Sequence, residues 1–577
     1  MKKYFFWILF IIIFLGSFII SLYLSWTDSA TMDEKAHIPA GYSYIVKGDY
    51  RLNPEHPPLA KALSGISLYL SKSFWGGNDF FQNESWEKID QWQAGEDFIF
   101  KSGNDADKLI FMARLPMVLI MLGLGVILFL WARELWGNWI GLIVSSLYLY
   151  SPTALAHGHL VTTDIPITFC FLLVMYSYWK FLSQENVQKP KKTKWLWLTG
   201  ISLGILFLTK FSAIIILPMM FFILSFWAYW NKKHKAESFW KIFWRQIFQG
   251  LKIIGISALL VYIIYLPLSI NYNIGKMHEL INLSFPTTAA FFWRQILHGL
   301  ANNFLTKPIA QFLIGFSMVF AHAGGGHTAF LLGNLSNKGW WYFFPIAFLL
   351  KTTLPVLVLF ISSLFLIFIQ KNKQKILAIM IFLISISFYF LISMISSLNL
   401  GIRHLLPIYP FIFLIIGYGI FKLWNFKNIN FKIIIIILLS WHIIESLIVF
   451  PYYLSYFNQL SFTKEKREIL IDSSLDWGQD LKRLKKHVNE KNIKDLKIDY
   501  FGGSYIPYYF NNQATEWSVE KGETTGWFAV CASRFTMADF PKEKSAKTYD
   551  WLKKYEPIDK IGDTFYIYYI PQNSEVE

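Results

Sequence analysis

Charge and cysteine are both scarce in this chain of 577 residues. Only 16% of its residues are charged, while 54% are hydrophobic and 19% aromatic. Soluble domains carry about 25% charged residues, so the deficit points away from a soluble enzyme and toward a membrane protein. The two cysteines, Cys170 in an apolar run and Cys531 in the tail, exclude a disulfide framework and a cysteine-based zinc site. Also missing are a Walker phosphate loop, a dinucleotide-binding glycine fingerprint and a His-Glu-x-x-His motif. The energy for any reaction therefore lies in the substrate. No internal repeat of short period is present.

What the chain does have is apolar runs of spanning length, roughly 17–25 residues, recurring from its start to about residue 450. About eleven can be counted, near 4–26, 112–131, 139–156, 164–182, 195–209, 211–230, 251–270, 341–369, 376–397, 403–423 and 433–450. Thr209 and Lys210 interrupt the 195–230 stretch, so two re-entrant half-helices would serve the topology equally well. The first run is longer than a signal-peptide core and lacks a small-residue cleavage site, which reads as a retained span.

Lys and Arg collect on the cytoplasmic side of membranes. In an eleven-span arrangement Lys2 and Lys3, Lys189–Lys194, Lys232–Lys252, Lys371, Lys373 and Lys375, and Lys422, Lys427 and Lys432 all fall on one side. The 27–110 loop falls on the other, with thirteen acidic and eight basic residues, net 8 − 13 = −5. The expectation is an integral plasma (inner) membrane protein with a cytoplasmic N-terminus and an extracytoplasmic C-terminus. The net charge of +16 then belongs to cytoplasmic loops and calls for no nucleic-acid partner.

Three soluble parts are expected on the outer face. The 27–110 loop carries Pro54, Pro57 and Pro58 and an amphipathic stretch from Leu59 to Phe74 that suits the membrane interface. Residues 271–340 hold the Gly-rich run from His322 to His327. The tail reads as an α/β domain, with a helix at Asp480–Asn489, strands at Leu496–Phe501, Trp527–Ala532 and Thr564–Ile570, and a short helix at Tyr549–Lys554. Residues 1–454 thus form a polytopic α-helical membrane domain and 455–577 a small carboxyl-terminal α/β domain.

The residues that suggest chemistry sit at the outer ends of the spans. Asp33 and Glu34 follow the first span. An acidic pair there is either a solvated helix cap or a general base, since a carboxylate partly removed from water gains basicity. Asp164, in Thr162-Thr-Asp-Ile-Pro166 after His157-Gly-His159, lies on the same face; it can cap the fourth span, serve function, or both. Arg403 and His404 open the tenth span. Arg403 either snorkels to the interface or offers its planar fork to a phosphate, and Lys210 has the same two readings. His322 and His327 flank three glycines without further metal ligands at suitable spacing, so a mobile loop closing over substrate is favoured over a metal site. No cofactor is called for with certainty; a divalent metal stays open but is not indicated.

Taken together, the motifs resemble the GT-C superfamily of polytopic glycosyltransferases that use lipid-phosphate sugars. Within it they are most similar to the bacterial branch of the dolichyl-phosphate-mannose–protein mannosyltransferase family. The matching pieces are Asp33-Glu34-x-x-His37, His56-Pro-Pro-Leu-Ala-Lys61, Ala113-Arg-Leu-Pro116, His159-x-x-Thr-Thr-Asp164, Leu208-Thr-Lys210 and Leu331-Leu-Gly-x-x-Ser-x-x-Gly-Trp-Trp-Tyr342. Arg403-His-Leu-Leu-Pro407, Tyr453-Leu-Ser-Tyr-Phe-Asn458 and Asp476-Trp-Gly-Gln-Asp480 complete the set.

The resemblance implies inverting transfer from a polyprenyl-phosphate sugar to a hydroxyl on the outer membrane face, with Asp33 as base. Arg403 would stabilise the phosphate, with Lys210, Lys61 and His404 behind it. Glu34 and Asp164 would orient the acceptor or nearby histidines, and His37, His56, His322 and His327 would border the acceptor. The inserted sugar-binding repeats of the eukaryotic members are absent here, so the acceptor stays open among protein, lipid and glycan. Two rivals share the need for many spans: a flippase or transporter of lipid-linked sugars, and a glycan polymerase or ligase. The first usually shows repeated halves and broken mid-membrane helices. The second would be expected to rely on outer-loop arginines and histidines rather than an acidic pair.

Overall fold

The structure is a computed structural model that describes residues 2–183, 189–235, 238–287, 290–369, 373–426, 429–461, 464–540 and 547–572. Lys371 and Lys427, two of the cytoplasmic-side lysines expected above, lie outside the described residues. Helix α1 (Lys2–Thr27) is followed by α2 (Met32–Lys47) and α3 (Leu59–Leu70). Long helices α4 (Ala106–Trp136), α5 (Asp164–Ser183) and α6 (Phe239–Ser269) form much of the membrane part. With α7 (Lys307–Gly325) and α8 (Tyr409–Trp424), they lead to the carboxyl-terminal domain, which opens on α9 (Leu481–Glu490). A short hairpin joins β1 (Ala329–Leu331) to β2 (Asn334–Ser336).

Among the described residues nine helices are long and apolar enough to cross a membrane, and a bent pair, Phe343–Lys351 and Leu354–Leu366 at 113°, makes a tenth. Eight of the nine, the bent pair and the shorter apolar helices Asn138–Leu149 and Thr193–Phe207 coincide with the eleven apolar runs. The ninth, α7, falls inside the 271–340 segment expected to be soluble. Its contacts explain the difference. Near its start Lys307 Nζ bonds to the Tyr272 carbonyl, and near its end the Ala323 carbonyl accepts from Ser397 Oγ at 2.7 Å. Both partners follow the same ends of their preceding helices, so α7 lies along one face of the bundle, with Ile309 and Phe320 exposed. An apolar helix lying along a face is the arrangement of interfacial helices.

Helix α2 begins in a capping box in which Thr31 and Glu34 satisfy each other's end groups. It packs on α3 so closely that a Cβ on Gly41 would lie 2.0 Å from the Lys61 carbonyl oxygen, and one on Gly65 equally near that of Gly41. Only glycine allows this approach. It fixes α2, and with it Asp33, over the ends of the spans.

The carboxyl-terminal domain carries five strands: β3 (Leu496–Asp499), β4 (Ala514–Glu516), β5 (Gly526–Cys531), β6 (Asp559–Ile561) and β7 (Phe565–Ile570). Their order is β4-β3-β5-β7-β6, with β3 parallel to both β4 and β5 and the other pairs antiparallel. The three expected strands are present within a residue or two, and α9 lies at the expected charged helix. The short helix expected at Tyr549–Lys554 is a 3-10 turn over Asp550–Lys554. The strands β4 and β6, three residues each, were too short to show a period-2 pattern. Leu481, Leu484, Ile498 and Phe565 form this domain's own core.

Candidate functional site

Four charged side chains, far apart in sequence, meet at one end of the helical bundle. Asp33 comes from the first turn of α2, Asp164 from the first turn of α5, Lys210 from the break between Leu208 and the turn Phe211–Ile215, and Arg403 from the 3-10 turn Ile402–Ile408 that leads into α8. Arg403 Nη1 lies 2.6 Å from Asp33 Oδ2 and 3.5 Å from Asp164 Oδ2. Lys210 Nζ lies 2.7 Å from Asp164 Oδ1. Asp164 is 1% exposed and Asp33 is 23% exposed, so the first is sealed in while the second faces solvent. Asp164 thus bridges two cations, one on each carboxylate oxygen, and Asp33 stands at the rim.

Arg403 is held on its other face by Trp477, whose ring lies 4.2 Å from the guanidinium carbon. Its buried Nε has no hydrogen-bond partner among the described residues. A buried guanidinium normally satisfies its donors, so this unmet donor is an exception within the cluster. Trp477 comes from the carboxyl-terminal domain, as does Asp472, whose carboxyl is raised by burial above its usual range while the Arg403 charge only partly opposes the shift. Sequence reasoning gave neither residue a role, although Trp477 stands in a quoted motif. The visible signal was that motif itself, Asp476-Trp-Gly-Gln-Asp480, an apolar ring among acidic and amide side chains.

Glu34 points away from this cluster although it adjoins Asp33. Successive helical residues diverge by about 100°, and Glu34 turns inward to Arg114. Both side chains are fully buried; Arg114 Nε and Nη2 reach the two Glu34 oxygens at 2.8 and 2.6 Å. Arg114 also donates to the carbonyls of Ser25, Asp28 and Ser29. Glu34 accepts the N–H of Val161 at 3.0 Å, three residues before Asp164. Burial raises the Glu34 carboxyl, but the Arg114 charge and hydrogen bonds outweigh it and hold the pKa below its usual value. The pair ties the turn before Asp33 to the loop before Asp164.

The remaining candidates fall around this frame. His37 Nδ1 meets the Val161 carbonyl at 2.8 Å, and its ring lies 5.4 Å from that of His56. Burial lowers the His56 pKa well below the usual histidine value, with His37, Lys61 and Lys210 adding to the shift; its Nδ1 has no partner among the described residues. Lys61 is fully buried and bonds to Asn53 O and Oδ1 and to His56 O, so its three ammonium hydrogens are occupied below the cluster. His404 follows Arg403, with its ring 6.4 Å from Phe344. His322 is exposed and His327 half-buried, with their rings 5.8 Å apart. Among the described residues no group of three or more His, Cys, Asp or Glu is arranged to hold a metal ion.

An apolar groove of about 660 Å³ is walled by Phe207 and Phe211, on either side of the Leu208–Lys210 break in sequence, by α6 through Tyr262 and Tyr265, and by α7 through Phe312 and Phe316. Phe211 follows Lys210 directly, so one chain segment serves both the groove wall and the charged cluster.

Residues 10–279, a little under half of the chain, match the model of the dolichyl-phosphate-mannose-protein mannosyltransferase family. The match takes in Asp33, Asp164 and Lys210 and leaves out Arg403 and the carboxyl-terminal domain. No curated protein matches the chain in sequence.

Among solved structures, ArnT from Cupriavidus metallidurans bound to undecaprenyl phosphate is 10% identical, with 96% of this chain and 97% of that one covered and a TM-score of 0.48. The archaeal oligosaccharyltransferase AglB from Archaeoglobus fulgidus, in complex with an inhibitory peptide and a dolichol-phosphate, is 10% identical over 100% and 75%, with a TM-score of 0.48. The S. cerevisiae protein O-mannosyltransferase Pmt1-Pmt2 complex bound to the sugar donor is 18% identical over 45% and 33%, with a TM-score of 0.35.

Proposed function

We propose that the protein transfers one sugar from a polyprenyl-phosphate carrier to an acceptor hydroxyl, with inversion, on the extracytoplasmic face. The observation that carries this reading is one chain segment serving both parts: Lys210 pairs with Asp164 beside Arg403, and the next residue, Phe211, walls an apolar groove of about 660 Å³. A ligand with an anionic head and an isoprenoid tail satisfies both at once. The acidic 27–110 loop and the basic loops of the opposite side support the extracytoplasmic assignment.

In the proposed step the acceptor oxygen bonds to the anomeric carbon while its proton passes to Asp33. The bond from the anomeric carbon to the phosphate oxygen breaks, and its electron pair leaves with the lipid phosphate. Arg403 and Lys210 stabilise the charge that grows there, a contribution of the kind that dominates many active sites. Arg403 is bonded to Asp33 at 2.6 Å. An arriving phosphate competes for that guanidinium and frees the carboxylate, so the base is unmasked when the donor is in place.

Binding of undecaprenyl phosphate to the purified protein tests the seat. Saturable binding that weakens in Arg403→Ala and Lys210→Ala is expected; binding indifferent to both substitutions would reassign them to topology. Mass spectrometry of cell-surface glycans with and without the protein then tests the reaction. Loss of one sugar from a defined acceptor is the expected result, whereas altered lipid sidedness with every linkage intact would favour a flippase.

A further inference from the structure

The carboxyl-terminal domain contains a second cavity, of about 830 Å³, that the transfer reaction leaves unused. It lies at the carboxyl ends of parallel β3, β4 and β5, which is where open α/β sheets bind their ligands. Its size falls in the range of roughly 300–1,000 Å³ typical of small-molecule sites. Asp499, the last residue of β3, forms part of its floor; it is buried and accepts from the Tyr549 hydroxyl at 2.6 Å. Trp517 follows β4 and is half-buried, its indole N–H fixed on the Gly522 carbonyl at 3.3 Å. Arg534, in the helix after β5, stays exposed beside Asp499 at 3.6 Å. The far wall belongs to the membrane domain, where Lys35 and Glu96 pair at 2.9 Å.

The cavity's chemistry selects a class of ligand. It is lined by three basic and four acidic side chains, so there is no field of one sign to hold a phosphate chain or a nucleic acid. Donors and acceptors share the lining with the aromatic side chains of Trp517, Tyr500 and Tyr505. A neutral polyhydroxylated molecule, which offers both donors and acceptors and stacks its C–H face on a ring, fits that lining. The cavity also adjoins the cluster at Asp33 through a single loop. Gly502 and Ser504 line the cavity, while Gly503 N–H donates to the Ala30 carbonyl at 3.1 Å and Ser504 Oγ accepts the Ala30 N–H at 3.0 Å. A Cβ on Gly503 would lie 2.1 Å from the Thr31 carbonyl oxygen. Ala30 and Thr31 lead directly into Asp33.

The geometry points to a carbohydrate-binding cleft in the carboxyl-terminal domain that holds the glycan part of the acceptor and hands its end over the 502–504 loop to Asp33. This assignment of the acceptor rests on the transferase reading above; the cleft itself does not. The test uses the full-length protein in nanodiscs on an array of neutral and acidic oligosaccharides, with a Ser/Thr-rich peptide and undecaprenyl phosphate measured in parallel. Saturable binding of neutral oligosaccharides is expected, at least tenfold weaker in Trp517→Ala and in the surface variant Arg534→Ala, with undecaprenyl phosphate binding unchanged in both. Once an acceptor is known, the same variants should raise its KM and leave kcat unchanged.

Three results would overturn the inference: no oligosaccharide bound, binding indifferent to both substitutions, or the peptide alone bound in the cleft. Oligosaccharide binding that is lost in the variants, in a protein that never binds undecaprenyl phosphate, would uphold the cleft and remove the donor reading instead.

Discussion

Arg403 sets one guanidinium against two carboxylates, rests on the Trp477 ring and keeps Nε without a partner among the described residues. A lysine there would preserve the charge and lose the fork that suits a phosphate. Hydrogen bonds to charged groups contribute about 1.5–3 kcal/mol, so Arg403→Lys should weaken undecaprenyl phosphate binding by about ten- to a hundredfold. Titration of the lipid phosphate measures this, and unchanged affinity would mean that the guanidinium never touches it. Asp33, Asp164, Lys210 and Arg403 were each legible because a charge at the end of an apolar run is costly without a purpose. The orientation of Glu34 was not legible. Its partner Arg114 lies eighty residues away, and nothing local tells an inward carboxylate from an outward one. Lys61 was misleading for a similar reason: three oxygen acceptors from the Asn53–His56 turn surround it only after folding.

At the scale of elements, the Glu34–Arg114 pair joins α2 to α4 and leaves no charge exposed. Removing one partner of a buried pair costs about 3–5 kcal/mol. Arg114→Met alone should therefore lower the apparent melting temperature sharply, and adding Glu34→Leu should restore much of the loss; equal melting of both variants would contradict a coupled pair. A second prediction concerns Asp476, which accepts the N–H groups of Gly478 and Ser533 where the 472–480 segment meets the domain. Burial raises its pKa to about 6, against about 3.9 in an unfolded chain. The folded form binds the proton more tightly, so stability is greatest below about pH 4 and falls as pH rises toward about 6. The penalty is on the order of 3 kcal/mol at neutral pH. Asp476→Asn should flatten this part of the melting profile, and a variant with the wild-type profile would place the titration elsewhere. Long apolar helices and the longer strands were readable from periodicity. The in-plane course of α7 was not, because length and composition suit a span and only its contacts at Tyr272 and Ser397 reveal one face.

For the whole molecule, the carboxyl-terminal domain closes over the site. Besides Trp477 on Arg403, Arg483 and His159 clasp Asp28, whose carboxyl burial alone would raise but which their charges and hydrogen bonds hold at about 2. Deleting residues 455–577 would remove one wall of the charged cluster along with the cleft. The proposed sidedness makes this domain extracytoplasmic. A cysteine placed at exposed Lys494, with both native cysteines buried, should react with an impermeant maleimide in intact cells. Labelling only after permeabilisation would reverse the topology. The most direct measurement of the central claim is single-turnover sugar transfer from a purified polyprenyl-phosphate sugar by wild type and Asp33→Asn. The account predicts a chemical step slower by about a hundredfold or more, the usual contribution of a general base, with donor affinity no weaker than in the wild type. An unchanged rate in the variant would contradict it.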